Sequence, residues 1–292
     1  MHLSALYLYP IKSLGGIAVK EAVVDERGFR HDRRFMLVEP DGTFITQRTN
    51  PHMALIDVAI EGETLRVWHR NRPDDVLELP LEPVPESSDR GTLTPVSVSI
   101  WDSKNVPAVA VSAEADRWFS NALGKPCRLV YMPETTRRPV DPQYARQNDV
   151  VSFADGYPYL LIGQASLDDL NQRLPESIEM LRFRPSLVVS GSLPYDEDAW
   201  SCFRIGGSTF YGVKPCARCV LTTIDPATGA RGPEPLRTLA KYRQWKHKIL
   251  FGQNVLTDPA STAQRLRVGQ AVEVIDRSEP WLAPPPLQGR TT

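Results

Sequence analysis

Prolines occupy 26 of the 292 positions, about 9% where ~5% is usual. Each fixes φ and lacks a backbone N–H, so long helices and long central strands are hard to build from this chain. A helical bundle is disfavoured, and short strands joined by turns are expected. The apolar runs at 3–9, 19–24, 35–38, 55–60 and 64–68 read as strands, as does the alternating 96–100. Gly15-Gly16, Asp41-Gly42, Glu61-Gly62 and Asp74-Asp75 read as turns between them. This spacing fits a small antiparallel barrel or sandwich, with residues 79–91 as a surface loop.

Helical patterning is strong in three places. Residues 113–123 carry Trp118, Phe119, Ala122 and Leu123 on one side and stop at Gly124. Ser166 and Asp169 have the spacing of a capping box, followed by Leu167, Leu170 and Leu174 on one face. Pro235 opens a third segment with Leu236, Leu239 and Ala240. Residues 127–131, 187–189, 209–213, 219–224 and 271–275 add strands, so the second half is mixed but strand-led. Length suggests two domains with a soft boundary near 120 that a strand could cross. Residues 133–151 read equally as an ordered loop over a site or a disordered surface segment, and the proline-rich end as an extended tail.

Lys plus Arg number 34 and Asp plus Glu 35, which leaves no general attraction to nucleic acid or an anionic membrane. No run approaches the ~20 apolar residues of a spanning helix. The first residues lack the pattern of a secretion signal, so a soluble, cytoplasmic protein is expected. Four cysteines are too few for a disulfide scaffold. Two of them form Cys216-Ala217-Arg218-Cys219, and the β-branched run after Cys219 argues against a redox dithiol at a helix N-terminus. A zinc site would need Cys127, Cys202 or distant histidines to complete it. A single thiolate on a soft metal carried by an organic cofactor, or two buried thiols, remain. Lys12-Ser13, Arg33-Arg34, Arg182, Arg184 and Arg218 sit beside turns or strand ends, where they suit a phosphate and a polar heterocycle.

Residues 214–229, KPCARCVLTTIDPATG, with EPLRTL at 234–239 and LFGQN at 250–254, closely resemble the MOSC domain, the molybdenum cofactor sulfurase C-terminal module. Tyr9-Pro-Ile-Lys-Ser13 and Asp32-Arg-Arg-Phe-Met-Leu-Val38 resemble the N-terminal β-barrel domain that precedes it in the mitochondrial amidoxime reducing component and bacterial relatives. The resemblance implies a β-rich α+β fold, with an N-terminal barrel (1–120) packed on a MOSC β-barrel domain (121–278), a few peripheral helices and a tail (279–292). It implies the molybdenum cofactor (Mo-molybdopterin), with Cys219 as metal ligand and Cys216 not a ligand. By the same resemblance Asp155 is the aspartate near the metal. Lys12, Ser13, Arg34, Gly156, Tyr157, Arg184, Ser186, Ala217 and Arg218 then face the cofactor. Ser186 stands where eukaryotic relatives have Asn, and Gly156-Tyr157 replaces a Thr-Ser pair.

The implied reaction is two-electron reduction of small N-hydroxylated substrates such as amidoximes and hydroxylamines; a non-catalytic cofactor carrier or sulfur-transfer module is the alternative. No flavin or haem signature and no cysteine set for an iron-sulfur cluster is expected in this chain. Electrons would come from a ferredoxin-like or haem protein with its reductase, docking at the arginine-bearing loop 137–146, unless that loop only covers the pterin.

Overall fold

The computed structural model describes residues 1–83, 94–283 and 285. Short strands dominate, giving a β-rich α+β architecture with helices at Ala113–Leu123, Gln164–Arg173 and Leu236–Leu239. A nine-stranded sheet has the order Val272–Arg277, Trp200–Ile205, Ser208–Arg218, Lys248–Thr257, Tyr159–Gly163, Leu187–Ser190, His2–Leu8 and Ile17–Val19, with Gln244–Trp245 hairpinned onto Lys248–Thr257. Only Tyr159–Gly163 and Leu187–Ser190 run parallel, and the helix Gln164–Arg173 lies in the connection between them. The chain's first strand therefore pairs with strands from its second half. A second sheet joins Phe35–Val38, Arg128–Tyr131, Ser103–Ala110 and Pro95–Ile100, and Ile56–Glu61, Thr64–His69 and Arg72–Pro80 form a meander.

Alternation along the strands builds the cores. Val58, Leu65, Val67, Leu77 and Leu79 of the meander close on Phe35, Leu37, Phe119 and Leu129. The large sheet buries Leu3, Leu6, Tyr159, Phe203, Phe210 and Val255 in one core, and Ile162, Val188 and Phe251 in another with Leu167, Leu170 and Phe183. The helix Ala113–Leu123 forms as its sequence dictates. Ser112 Oγ accepts from Ala115 N, Glu114 and Asp116 sit in the first turn, and Gly124 ends it at φ 66°.

Several elements depart from what their local sequence pattern suggests. Asp74 and Asp75 lie within the exposed start of Arg72–Pro80, and the chain turns at Arg70-Asn71 instead. Charged side chains are tolerated there because both face solvent. Ser166 is inside a helix that begins at Gln164; its Oγ donates to Glu197 and accepts from Tyr195 N. Cys219 does not open a strand. The strand ends at Arg218, Cys219 caps the next turn, and Val220–Thr223 form a 3-10 turn in which the Thr222 and Thr223 hydroxyls donate to the carbonyls of Cys219 and Val220.

The 133–151 segment is ordered: Pro139 pairs with Val150, and Arg138 turns inward. Of the expected surface loop, 79–80 belong to a strand and 84–91 lie outside the described residues. In the tail Trp281 packs on Trp245, while 284 and 286–292 lie outside the described residues.

The strand Lys248–Thr257, not expected from its sequence, is central to the site. Its pairing with Ser208–Arg218 slips between Pro215↔Gln253 and Ala217↔Leu250, a bulge that places Phe251-Gly252 opposite Cys216. Gly252 has φ 80°, and a Cβ there would sit 2.7 Å from Ile162 Cγ1 and 2.8 Å from the Leu161 carbonyl. Gly252→Ala should therefore cost about 2 kcal/mol or more in denaturant unfolding, from positive φ and overlap combined. Ordinary stability in that variant would show that the bulge tolerates a side chain.

Candidate functional site

Four chain segments converge where the strand Ser208–Arg218 ends. They are Lys12 after the first strand, Arg33 after a turn, the 154–158 loop leading into Tyr159–Gly163, and Arg184–Ser186 leading into Leu187–Ser190. Together with Arg48, Cys216, Ala217, Arg218, Cys219, Leu221 and Thr222 they line an open-mouthed cleft. Lys12, Asp155, Gly156, Tyr157, Arg184, Ser186, Ala217, Arg218 and Cys219 all line it.

Asp155 is the node of the cleft. Its Oδ1 accepts from Lys12 Nζ at 2.5 Å and from Trp101 Nε1 at 3.2 Å, and its Oδ2 from Arg48 Nη2 at 2.6 Å. Desolvation against the cleft wall would raise its pKa, but the two cations outweigh it and hold the carboxylate, whose side chain is 54% exposed, well below its ordinary range. Lys12 is 4% exposed and also donates to the Phe153 carbonyl. Burial drives its ammonium down to about 8, against the opposing pull of Asp155. Arg48 also donates from Nε to Cys219 Sγ at 3.0 Å, so one guanidinium joins the thiol to the carboxylate. Cys216 Sγ instead accepts from Arg218 Nη1 at 2.9 Å.

A second group stacks deeper. The Tyr9 ring lies 4.2 Å from both the Arg33 and Arg184 guanidinium carbons. Arg33 is neutralised by buried Asp32. Arg184 donates to the Leu14 carbonyl from Nη1, while burial lowers its pKa to about 10. Its Nη2, Arg218 Nε and the Tyr157 hydroxyl are buried without a hydrogen-bond partner. Three polar groups lining one cleft and lacking partners are what an absent polar ligand would satisfy.

Two expected residues lie elsewhere. Arg34 is turned away from the cleft: it donates to the Met132 carbonyl and to Glu134, with Tyr131 against its guanidinium. The turn ending at Arg33 (φ 49°) presents Arg33 to the cleft, and the next side chain points the other way. Ser13 is buried in the left-handed region at φ 67° but does not line the cleft. Arg48 and Trp101 were not anticipated from sequence, because neither sits beside a motif. Of the loop arginines, Arg138 is buried, donating to the carbonyls of Ser152, Ala154 and Asp155. Arg137 pairs with Glu26, and Arg146 stacks on Tyr211. Among the described residues no group of three or more His, Cys, Asp or Glu is placed to share a metal ion, and no helix is long and apolar enough to cross a membrane.

The depressed Lys12 gives a pH signature. Its folded pKa of about 8 lies below the ordinary 10.5, so above pH 8 the unfolded chain binds the extra proton and stability rises with pH. Relative to Lys12→Met, ligand-free wild-type protein should gain on the order of 3 kcal/mol between pH 8 and 10.5. A difference that stays flat across denaturant melts in this window would refute the assignment.

The MOSC N-terminal beta barrel domain matches residues 1–126, and the MOSC domain matches residues 148–273. Mitochondrial amidoxime-reducing component 1 of Homo sapiens is 32% identical, over 92% of this chain and 82% of that protein. Its Mus musculus counterpart is 34% identical over 82% of this chain and 70% of that protein. Molybdenum cofactor sulfurase of Arabidopsis thaliana is 33% identical over 86% of this chain, but only 32% of that protein. The chain belongs to the MOSC family, in the form that joins a MOSC N-terminal beta barrel domain to a MOSC domain.

Proposed function

We propose that this protein is a molybdenum-cofactor-dependent reductase of small N-hydroxylated compounds, amidoximes and hydroxylamines, which receives electrons from a separate donor protein. The observation that carries this reading is the meeting of Cys219 Sγ, Arg48 and Asp155 in a cleft whose remaining charged walls are cationic. The donor set fits the group. Lys12, Arg33, Arg184 and Arg218 would hold the phosphate and pterin, the unpartnered Arg184 Nη2, Arg218 Nε and Tyr157 hydroxyl supply hydrogen bonds, and Cys219 would hold the metal. When bound, the group would supply a two-electron couple.

Converting an amidoxime to an amidine and water takes two electrons and two protons. Lys12 Nζ lies 2.5 Å from Asp155 Oδ1 and, with a pKa of about 8, is charged at neutral pH. Asp155 stays ionised, so it carries no proton itself; it orients Lys12, which donates one proton and is recharged from solvent for the second. Arg48 holds the Cys219 sulfur and the carboxylate in fixed relation. The likeness to molybdenum cofactor sulfurase favours the second reading, a cofactor carrier or sulfur-transfer module.

Metal analysis of protein from a molybdenum-replete host, followed by benzamidoxime reduction with an artificial donor, separates the two readings; bound molybdenum without turnover would favour the carrier. Cys219→Ser should lose metal and activity, while Cys216→Ser keeps both to within a few fold; the reverse pattern would reassign the ligand. Arg184→Ala should lower pterin occupancy in folded protein, and equal occupancy would remove it from the site. Asp155→Asn should retain the metal and lose about 100-fold or more in turnover, whereas wild-type rates would leave it only the structural partner of Lys12 and Arg48.

A further inference from the structure

We propose that the groove beside the cleft is a subsite for the aryl group of an N-hydroxylated substrate, with Trp101 as its stacking wall; this rests on the reductase reading above. Trp101, Pro107, Pro139, Val140, Pro142 and Tyr157 border the groove, which shares Asp155, Gly156 and Tyr157 with the cleft. A substrate with its polar head at Asp155 thus has a continuous path for its apolar end. The three prolines are exposed, so their saturated rings and the indole border the same groove and offer apolar surface to a flat hydrocarbon. Lys104, Arg137 and Lys214 give the slot a charged rim.

Trp101 is displayed there against local preference. With Asp102 it forms the two-residue connection that sets Ile100 opposite Ser103. Its φ is 51°, a conformation that suits Gly or Asn and penalises a bulky side chain. Trp101 stays 39% exposed, so burial in a core does not compensate the strained turn. Strain of this kind gathers where an exposed side chain is used. The Arg48 guanidinium lies 4.4 Å from the ring centroid, Phe44 packs at 4.7 Å, and Nε1 donates to Asp155. One side chain therefore both flanks the groove and helps orient the carboxylate.

Two substitutions separate those roles. Trp101→Phe keeps a ring and loses the N–H; Trp101→Asn loses the ring in a residue that tolerates positive φ. Calorimetry on cofactor-loaded protein without reductant compares benzamidoxime with acetamidoxime, and steady-state assays give the ratio of their kcat/KM values. A common loss from the missing Nε1 donor cancels in that ratio. Trp101→Asn should weaken benzamidoxime relative to acetamidoxime by about fivefold in both binding and kcat/KM, while Trp101→Phe keeps the wild-type ratio within twofold. If Trp101→Asn lowers both compounds equally, Trp101 only positions Asp155 and the subsite is overturned. A wild-type protein that binds and reduces neither compound overturns the reductase reading itself. Trp101→Leu reads the same ratio should the Asn variant fail to fold.

Discussion

Asp155 is the one carboxylate in a cleft lined by five cationic side chains, Lys12, Arg33, Arg48, Arg184 and Arg218. Cations taken from water at that density repel one another unless each finds an acceptor. Asp155 satisfies Lys12 and Arg48, Asp32 satisfies Arg33, and backbone carbonyls take part of Arg184 and Arg218. The remaining positive potential and the unpartnered Nη2 and Nε make the cleft a receptor for an anion. The same carboxylate ties distant segments together, because residues 12, 48 and 101 reach it from three parts of the chain.

The backbone around the cleft is strained in the same places. Ser13, Arg33, Trp101 and Arg184 all have positive φ, at 67°, 49°, 51° and 55°. Each costs about 1–3 kcal/mol in a non-glycine residue. The strain is held by adjoining strands with buried registers: Lys12 N donates to the Phe35 carbonyl, and the Ser186 backbone pairs with Leu160 and Tyr7. Rigid sheets fix these residues, so the cleft is organised before any ligand arrives.

Local patterns were legible where one short stretch decides the structure. The helix Ala113–Leu123 has its cap, its first-turn acids and its terminal glycine within thirteen residues, and Phe35–Val38 is a continuous apolar run. Lys248–Thr257 was not legible, because Gly252, Gln253 and Asn254 interrupt its apolar pattern; Gln253 is buried by the neighbouring strands. The Val-Leu-Thr-Thr run after Cys219 misleads in the other direction. Its β-branched residues favour a strand, but two threonine hydroxyls bond back to local carbonyls and close a turn.

The sequence by itself determined the strand-led class, through its prolines and its period-two runs, and the pair Cys216 and Cys219 within a family motif. It also supplied the cationic residues that a phosphate-bearing ligand needs. Only the tertiary structure decided which of them meet. Arg33 and Arg34 are adjacent and chemically equal in the sequence, yet a turn at positive φ sends one into the cleft and the other to Glu134. Arg48 and Trp101 carry no local signal because their partners, Cys219 and Asp155, lie far along the chain. Such contacts are set by how sheets pack, a non-local property that no window of sequence contains.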